Sequence, residues 1–213
     1  MSEKIKLVLV GGGGHCRSCI DVIETLEGVD ILGVIDTDPS RSSIGNYPIL
    51  GDESTQNLDR LNPDYFLITV GQTKSCEKRK SIANTLKQHN KLFATIISSL
   101  AHVAHNSFIS QGTIVMHRVV VNANVHIGIN CIINTGAIIE HDVIVGDFCH
   151  VSTGAIVNGN CKIGKETFIG SGAVIKHGVS VCDCTIIGAG SVVVSDILES
   201  GTYVGVPARR LYE

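Results

Sequence analysis

The chain has 213 residues, enough to bury a real core in one or two domains. Its net charge is −3 with no run of cations, which argues against nucleic acid or an anionic membrane as a partner. Tryptophan is absent and aromatics make up only 4%, while Gly, Ile and Val abound, a composition suited to narrow β-coils with tight corners.

In chain order, Met1-Ser-Glu-Lys-Ile-Lys leads into an apolar stretch too short for a signal peptide or a membrane span, so a cytoplasmic protein is expected. Lys4–Val10 reads as a buried strand, Gly11–Gly14 as a turn, and Cys16–Leu26 as a helix with Ile20, Ile23 and Leu26 turned inward. Asp30–Ile35 is a second strand ending at Asp36, and Tyr65–Val70 a third ending at Gly71. A polar helix over Ser75–His89 and a closing segment Leu92–Ile96 follow. Strand and helix alternate, which implies a small parallel sheet of Rossmann type over residues 1–97, with ligands at the carboxyl ends of the strands.

The glycine-rich loop sits between the first strand and the first helix. Gly12, Gly13, Gly14 and His15 lie where bare backbone N–H groups and a helix N-terminus can meet a phosphate. The dinucleotide pattern is incomplete, because its third glycine is replaced by Cys16 or Arg17, and this speaks against a hydride cofactor. Asp36 and Asp38, at the end of the second strand, could bind a ribose or a base. The alternative is a tight turn whose glycines only let helix and strand pack.

From Val103 to Val193 every sixth residue is isoleucine or valine, sixteen positions in succession. Neither a helix nor a flat sheet demands that period. A parallel β-helix does, spending six residues on each of three sides, so that residues eighteen apart stack about 4.8 Å from one another. Roughly five coils are expected within residues 98–213, with the tail Glu199–Glu213 leaving the coil. Eight cysteines are present. Cys131, Cys149 and Cys161 fall at the fifth position of their hexads and read as small core residues, and Cys16 and Cys19 as buried thiols in place of a redox pair.

On the coil, His141 is third in its hexad, a corner position, and Asp142 follows it immediately. A carboxylate beside an imidazole fixes its tautomer and raises its basicity, as a general base requires. Adding eighteen to 141 reaches Gly159, so a corner without a side chain lies beside His141, where a backbone N–H could meet a developing oxyanion. A purely structural corner histidine is the alternative. His105, His141 and His177 share a column, but the third ligand of a hexapeptide-repeat zinc carbonic anhydrase would fall at Gly146, so no metal is assigned. His150 is divided between ligand contact and packing.

Together, the Gly-Gly-Gly-His15 loop, the hexad coil, Asn134 with Ile139-Glu-His141-Asp142, Cys149-His150-Val-Ser and Tyr203-Val-Gly-Val-Pro-Ala-Arg209 resemble the sugar acetyltransferases grouped with sialic acid O-acetyltransferase. The nearest likeness is to bacterial N-acetyltransferases of nucleotide-linked 4-amino sugars, of the bacillosamine and perosamine type. The resemblance implies a homotrimer of left-handed β-helices and acetyl-CoA as co-substrate, with no permanently bound cofactor. It implies His141 as general base with Asp142, and acetyl-CoA contacts at His150, Gly159, Gly188, Pro207 and Arg209. The nucleotide-linked amino sugar would meet Gly12, Gly13, Gly14, His15, Asp36, Asp38, Gly71 and Asn134. The expected reaction is N-acetylation of a 4-amino group in bacterial surface glycan biosynthesis. The alternative is O-acetylation of a sugar hydroxyl, which the same histidine would serve. A third reading is a β-helix scaffold without activity.

Overall fold

The computed structural model describes residues 4–73 and 75–212. The leader reading that touches residues 1–3, and the parts of other expectations that fall on Lys74 and Glu213, lie outside the described residues. The chain divides into two compact units, residues 1–71 with 77–99, and residues 72–76 with 100–213.

The first unit is built on a three-stranded parallel sheet, β1 (Ile5–Val10), β2 (Val29–Ile35) and β5 (Tyr65–Ile68), in the order β2-β1-β5. The middle strand is the most apolar, and Leu7, Val8, Leu9 and Val10 are all fully buried, as expected for a strand covered on both faces. Helix α1 (Gly14–Glu24) begins two residues earlier than the sequence suggests and ends before Leu26. It buries Cys16, Cys19, Ile20 and Ile23, an i, i+3, i+4, i+7 stripe. Helix α3 (Glu77–Gln88) repeats that spacing with Arg79, Ile82, Ala83 and Leu86. Phe93 bridges in parallel to Phe66 and extends the sheet edge.

Two features escaped the sequence reading. A small antiparallel pair, β3 (Ser43–Ile44) and β4 (Tyr47–Pro48), and helix α2 (Thr55–Arg60) fill the stretch between β2 and β5. Each is too short to establish a periodicity, and each is anchored by a single buried side chain, Ile44 and Leu58.

The second unit is a parallel β-helix. Two-residue strands recur at every hexad and stack in parallel with a register of eighteen, for example Val121 on Ile139 and Ile139 on Val157. In each strand the second residue points inward. All fourteen Ile and Val residues from Val115 to Val193 in the six-residue series are at most 3% exposed. Each such burial contributes about 2 kcal/mol, so the series is the core of the unit.

The corners obey the same period. Gly112, Arg118, Asn124, Asn130, Gly136, Asp142, Phe148, Gly154, Asn160, Glu166, Gly172, Gly178, Cys184 and Gly190 all have left-handed φ, between 53° and 76°. Glycine and Asn adopt this conformation at least cost, which accounts for their abundance at the fourth hexad position. The fifth position carries a second device. The hydroxyl or thiol of Ser107, Thr113, Cys131, Cys149 and Cys161 donates to a carbonyl fifteen residues on, at 2.7–3.1 Å. The core cysteines are thus small donors that satisfy corner carbonyls, and all eight cysteines are free thiols.

The tail differs from expectation. Instead of leaving the coil it prolongs the stack: Ile197 bridges to Val181, and Thr202–Val204 pairs in parallel with Ile186–Ile187. Arg209–Leu211 then folds back antiparallel on Thr202–Val204. The coil therefore runs longer than the roughly five turns read from the hexads, with six strands stacked on one side. The tail's Ile197 and Tyr203 occupy coil positions without the six-residue spacing, which is why the rhythm concealed them.

Candidate active site

In the first unit, the carboxyl ends of β1, β2 and β5 bring three loops together around a cavity of about 430 Å³. It is lined by Gly11–Gly14, His15, Asp36, Asp38, Arg41, Thr69–Gly71 and Lys78. Glycine is required at Gly12, because a Cβ there would overlap the carboxylate of Asp36, which instead accepts the Gly12 N–H at 2.8 Å. Gly13 and Gly14 face open space, so a ligand can approach their backbone. Gly71 passes close to His15, where a Cβ would come within 3.4 Å of the ring-bearing carbon.

Asp36 and Asp38 face each other across Arg41, whose guanidinium reaches Asp36 at 2.7 Å and Asp38 at 3.0 Å. Burial raises the pKa of Asp36, but the N–H groups of Asp38 and Gly12 together with Arg41 outweigh it and hold the carboxyl below its usual range. Asp38 is held low chiefly by the hydroxyl and N–H of Ser40. His15 is pushed down to about 4, mainly by burial and further by the Arg79 cation, so it is neutral at pH 7. It therefore offers a phosphate or base a hydrogen bond, not a charge. Burial raises the thiols of Cys16 and Cys19, which keeps both protonated and unreactive. The cations at this cavity, Arg41 and Lys78, were missed in the sequence. Their signal lay in position: Arg41 five residues beyond Asp36, and Lys78 in the first turn of the helix after Gly71.

In the second unit, the corner at His141 brings together the residues singled out in the sequence. His141 Nδ1 lies 2.8 Å from Asp142 Oδ2. With that nitrogen carrying the proton donated to the carboxylate, Nε2 keeps its lone pair. The ring lies over Gly159, and a Cβ there would come within 2.6 Å of Nε2 and 2.7 Å of Cε1. Only a glycine corner leaves room for the ring. Among the described residues no acceptor is found for the Gly159 N–H. The other Asp142 oxygen accepts the amide of Asn124 at 2.7 Å, and these hydrogen bonds, Asn124 first and His141 second, hold the carboxyl below its ordinary range.

His177 lies on the same column with its ring centroid 6.1 Å from that of His141. Among the described residues the column His105, His141 and His177 does not bring three ligand atoms together.

Asn134 and His150 form a second cluster. Asn134 Nδ2 meets His150 Nε2 at 3.1 Å, and His150 Nδ1 donates to the Gln72 carbonyl at 2.8 Å. The imidazole is buried and packs edge-on against Phe168. Both its nitrogens meet protein partners, so His150 reaches the site through the Asn134 amide. Gly188 is covered by the tail, where a Cβ would press on Val204, and its N–H donates to the Tyr203 carbonyl. Pro207 follows a cis peptide in the turn between the last two strands. Arg209 is exposed there, and its guanidinium donates to the neighbouring Ala208 carbonyl at 2.9 Å.

The family profile of the PglD N-terminal domain matches residues 6–86, and that of the bacterial transferase hexapeptide (six repeats) matches residues 160–195. Among solved structures, the acetyltransferase domain of PglB from Neisseria gonorrhoeae, in complex with acetyl coenzyme A, is 30% identical with a TM-score of 0.90, covering 98% of this chain and 100% of that one. The chain belongs to this family of hexapeptide-repeat sugar acetyltransferases. PerB from Caulobacter crescentus, in complex with CoA and GDP-perosamine, is also 30% identical, with a TM-score of 0.89 and 97% of each chain covered. WeeI from Acinetobacter baumannii, at 24% identity and a TM-score of 0.84, shares the fold. A search of curated protein sequences finds no match. The parallel β-helix expected from the hexads, left-handed as the resemblance implies, is the fold of this family, and the match extends over the parallel-sheet unit before it.

Proposed function

We propose that this acetyltransferase moves the acetyl group of acetyl-CoA onto the amine of a nucleotide-linked amino sugar. The observation that carries the reading is the His141 corner, with Nδ1 tied to Asp142 and Nε2 open above Gly159. The amine nitrogen attacks the thioester carbon, its proton passes to His141 Nε2, and the C–S bond then breaks to release CoA. Holding the two substrates in attack geometry supplies much of the rate. The N–H of Gly159 is placed to polarise the thioester oxygen. Asn134, held by His150, faces the sugar amine, and Gly188, Pro207 and Arg209 receive CoA.

Residues 1–97 hold the nucleotide. Gly12–Gly14 and neutral His15 meet the diphosphate with the charges of Arg41 and Lys78, while Asp36, Asp38 and Gly71 contact the nucleoside. PerB binds GDP-perosamine, which supports a substrate of the same class here. Residues 98–213 carry the transfer.

A homotrimer fits the surface. Val120, Ile138, Ile156, Val174 and Val192 form one outward column of half-buried aliphatic side chains, a stripe that packing against other copies would cover. The half-exposed His141 would be enclosed by that assembly. Among the described residues no helix is long and apolar enough to cross a membrane. We place the enzyme in the cytoplasm, where acetyl-CoA is available, serving surface glycan synthesis.

The test is a panel of nucleotide-linked 4-amino sugars with acetyl-CoA, read by free-thiol release. The expected result is turnover on one amine and a loss of about 10²–10⁴-fold in His141→Ala. Activity on hydroxyl sugars alone would overturn the acceptor assignment, and full activity of His141→Ala would overturn the base.

A further inference from the structure

Asp142 makes two side-chain hydrogen bonds, and they divide its carboxylate evenly. Oδ2 accepts from His141 Nδ1 at 2.8 Å, and Oδ1 accepts from Asn124 Nδ2 at 2.7 Å. Asn124 precedes Asp142 by eighteen residues, one coil earlier on the same corner. The two residues share the left-handed conformation, with φ of 60° and 61°. Their backbones are locked in register as well, because the Asp142 N–H donates to the carbonyl of Ala123 at 3.0 Å. Two identical corners one coil apart therefore aim their side chains alike, and the lower amide meets the upper carboxylate.

A carboxylate with one partner can rotate, and rotation moves the imidazole that hangs from it. With its second oxygen held, the carboxylate plane is fixed, and so are the ring's tautomer and orientation. We propose that Asn124 is a positioning residue for His141, acting through Asp142. An Asn at this corner is compatible with the turn alone, since Asn130 and Asn160 occupy equivalent positions. What distinguishes Asn124 is that the residue one coil above it is the acid bonded to the base. The inference rests on reading His141 as the base.

The informative variant is Asn124→Gly. Glycine occupies six of the equivalent corners with positive φ, among them Gly112 and Gly136, so the backbone keeps its conformation while only the amide is lost. Asn124→Asp is its companion: it keeps size and corner preference but sets two carboxylates in contact, which cannot both ionise there. Among the described residues, Asp142 and His177, the latter at 6.1 Å between ring centroids, face His141, and Glu140 precedes it in the chain.

Asn124→Gly should lower kcat roughly 3- to 30-fold, short of the loss in His141→Ala, with KM for both substrates within about 2-fold. Freed of its second donor, the Asp142 carboxylate can turn away from Nδ1 and hold the imidazolium less well, so the ascending limb of kcat/KM against pH should move to lower pH. In Asn124→Asp a proton shared by the two carboxylates puts a donor back on Asp142, so the limb should return toward that of the parent. In ¹⁵N-histidine NMR of the intact protein, the Nδ1–H population of His141 should fall in Asn124→Gly, while the thermal midpoint stays within about 2 °C. Unchanged kcat and an unchanged limb would overturn the inference, as would a rise in KM with kcat intact, which would make Asn124 a substrate contact. Should His141→Ala be inert while Asn124→Gly behaves as the parent, the base stands and only this inference fails. Should His141→Ala itself be fully active, the reading beneath it fails first.

Discussion

Gly159→Ala tests the site at its tightest point. The added methyl would lie 2.6 Å from His141 Nε2 and 2.7 Å from Cε1, whereas ordinary contact begins near 3.4 Å. The ring must therefore retreat by about 0.8 Å or swing out toward solvent, and with a side chain 54% exposed it has the freedom to do so. A displacement near 1 Å at a reacting group costs on the order of 10²-fold in rate. Stability should behave oppositely. Gly159 is not in the left-handed region, so alanine fits its backbone, and a Gly→Ala change at a compatible site gains about 0.4–1 kcal/mol through the unfolded chain. The assay pairs initial rates of thiol release with thermal unfolding on one preparation. A loss near 10²-fold with an unchanged or slightly raised midpoint is expected. Full activity would refute the placement of the reacting base above this corner. Parallel loss of activity and stability would make the corner structural.

The remaining tests address charge and chemistry. Asp142→Asn should lower kcat about 10- to 10³-fold, because an amide can present N–H to Nδ1 and drive the proton onto Nε2, where the base needs its lone pair; the pH profile of kcat decides it. Since Asp142 is held below the ordinary carboxylate range, no acid limb from it should appear between pH 5 and 8 in the parent enzyme. His15 has its pKa lowered in the folded state, so its contribution to stability is complete above about pH 6.5 and disappears as pH falls toward 4. Thermal midpoints measured over that window should fall in the parent, by up to about 3 kcal/mol in stability, and fall less in His15→Gln. Cys161→Ser should be nearly neutral in both rate and midpoint, because a hydroxyl can replace the thiol that donates to the Lys176 carbonyl at 3.1 Å; a large loss would refute the donor role.

The β-helix was legible because its signal is redundant. Sixteen hexads report the same period, and an error at one changes nothing. The His141–Gly159 pairing followed from that period by adding eighteen, and the structure sets the two against each other as the sum requires. Subtracting eighteen from Asp142 would have found Asn124 just as directly. The first unit was less legible where its parts are short. The β3–β4 pair and α2 leave too few residues for a periodicity, and Arg41 and Lys78 carry no motif of their own. Their role appears only when three strand ends converge. The tail was misjudged for a related reason: Ile197 and Tyr203 join the stack without keeping the six-residue spacing.

The position of the acid beside the proposed base also follows from the geometry of the corner. The fourth residue of each hexad from Gly112 to Gly190 turns in the left-handed region, and among residues with side chains Asn and Asp adopt that conformation most readily. A base at the third position therefore has its natural acid at the fourth, as an aspartate, close enough to bond Nδ1 without a long side chain. The residue eighteen earlier is bound by the same preference, and an asparagine there meets both the turn and the carboxylate above it. The residue eighteen later than the base must be small, since anything beyond glycine would collide with the ring. Of the four residues around Nε2 of the proposed base, Asp142 and Asn124 are thus favoured by turn chemistry and Gly159 by the room the ring needs. The histidine is the one choice that the corner does not explain, and it is the one whose removal should cost the most activity.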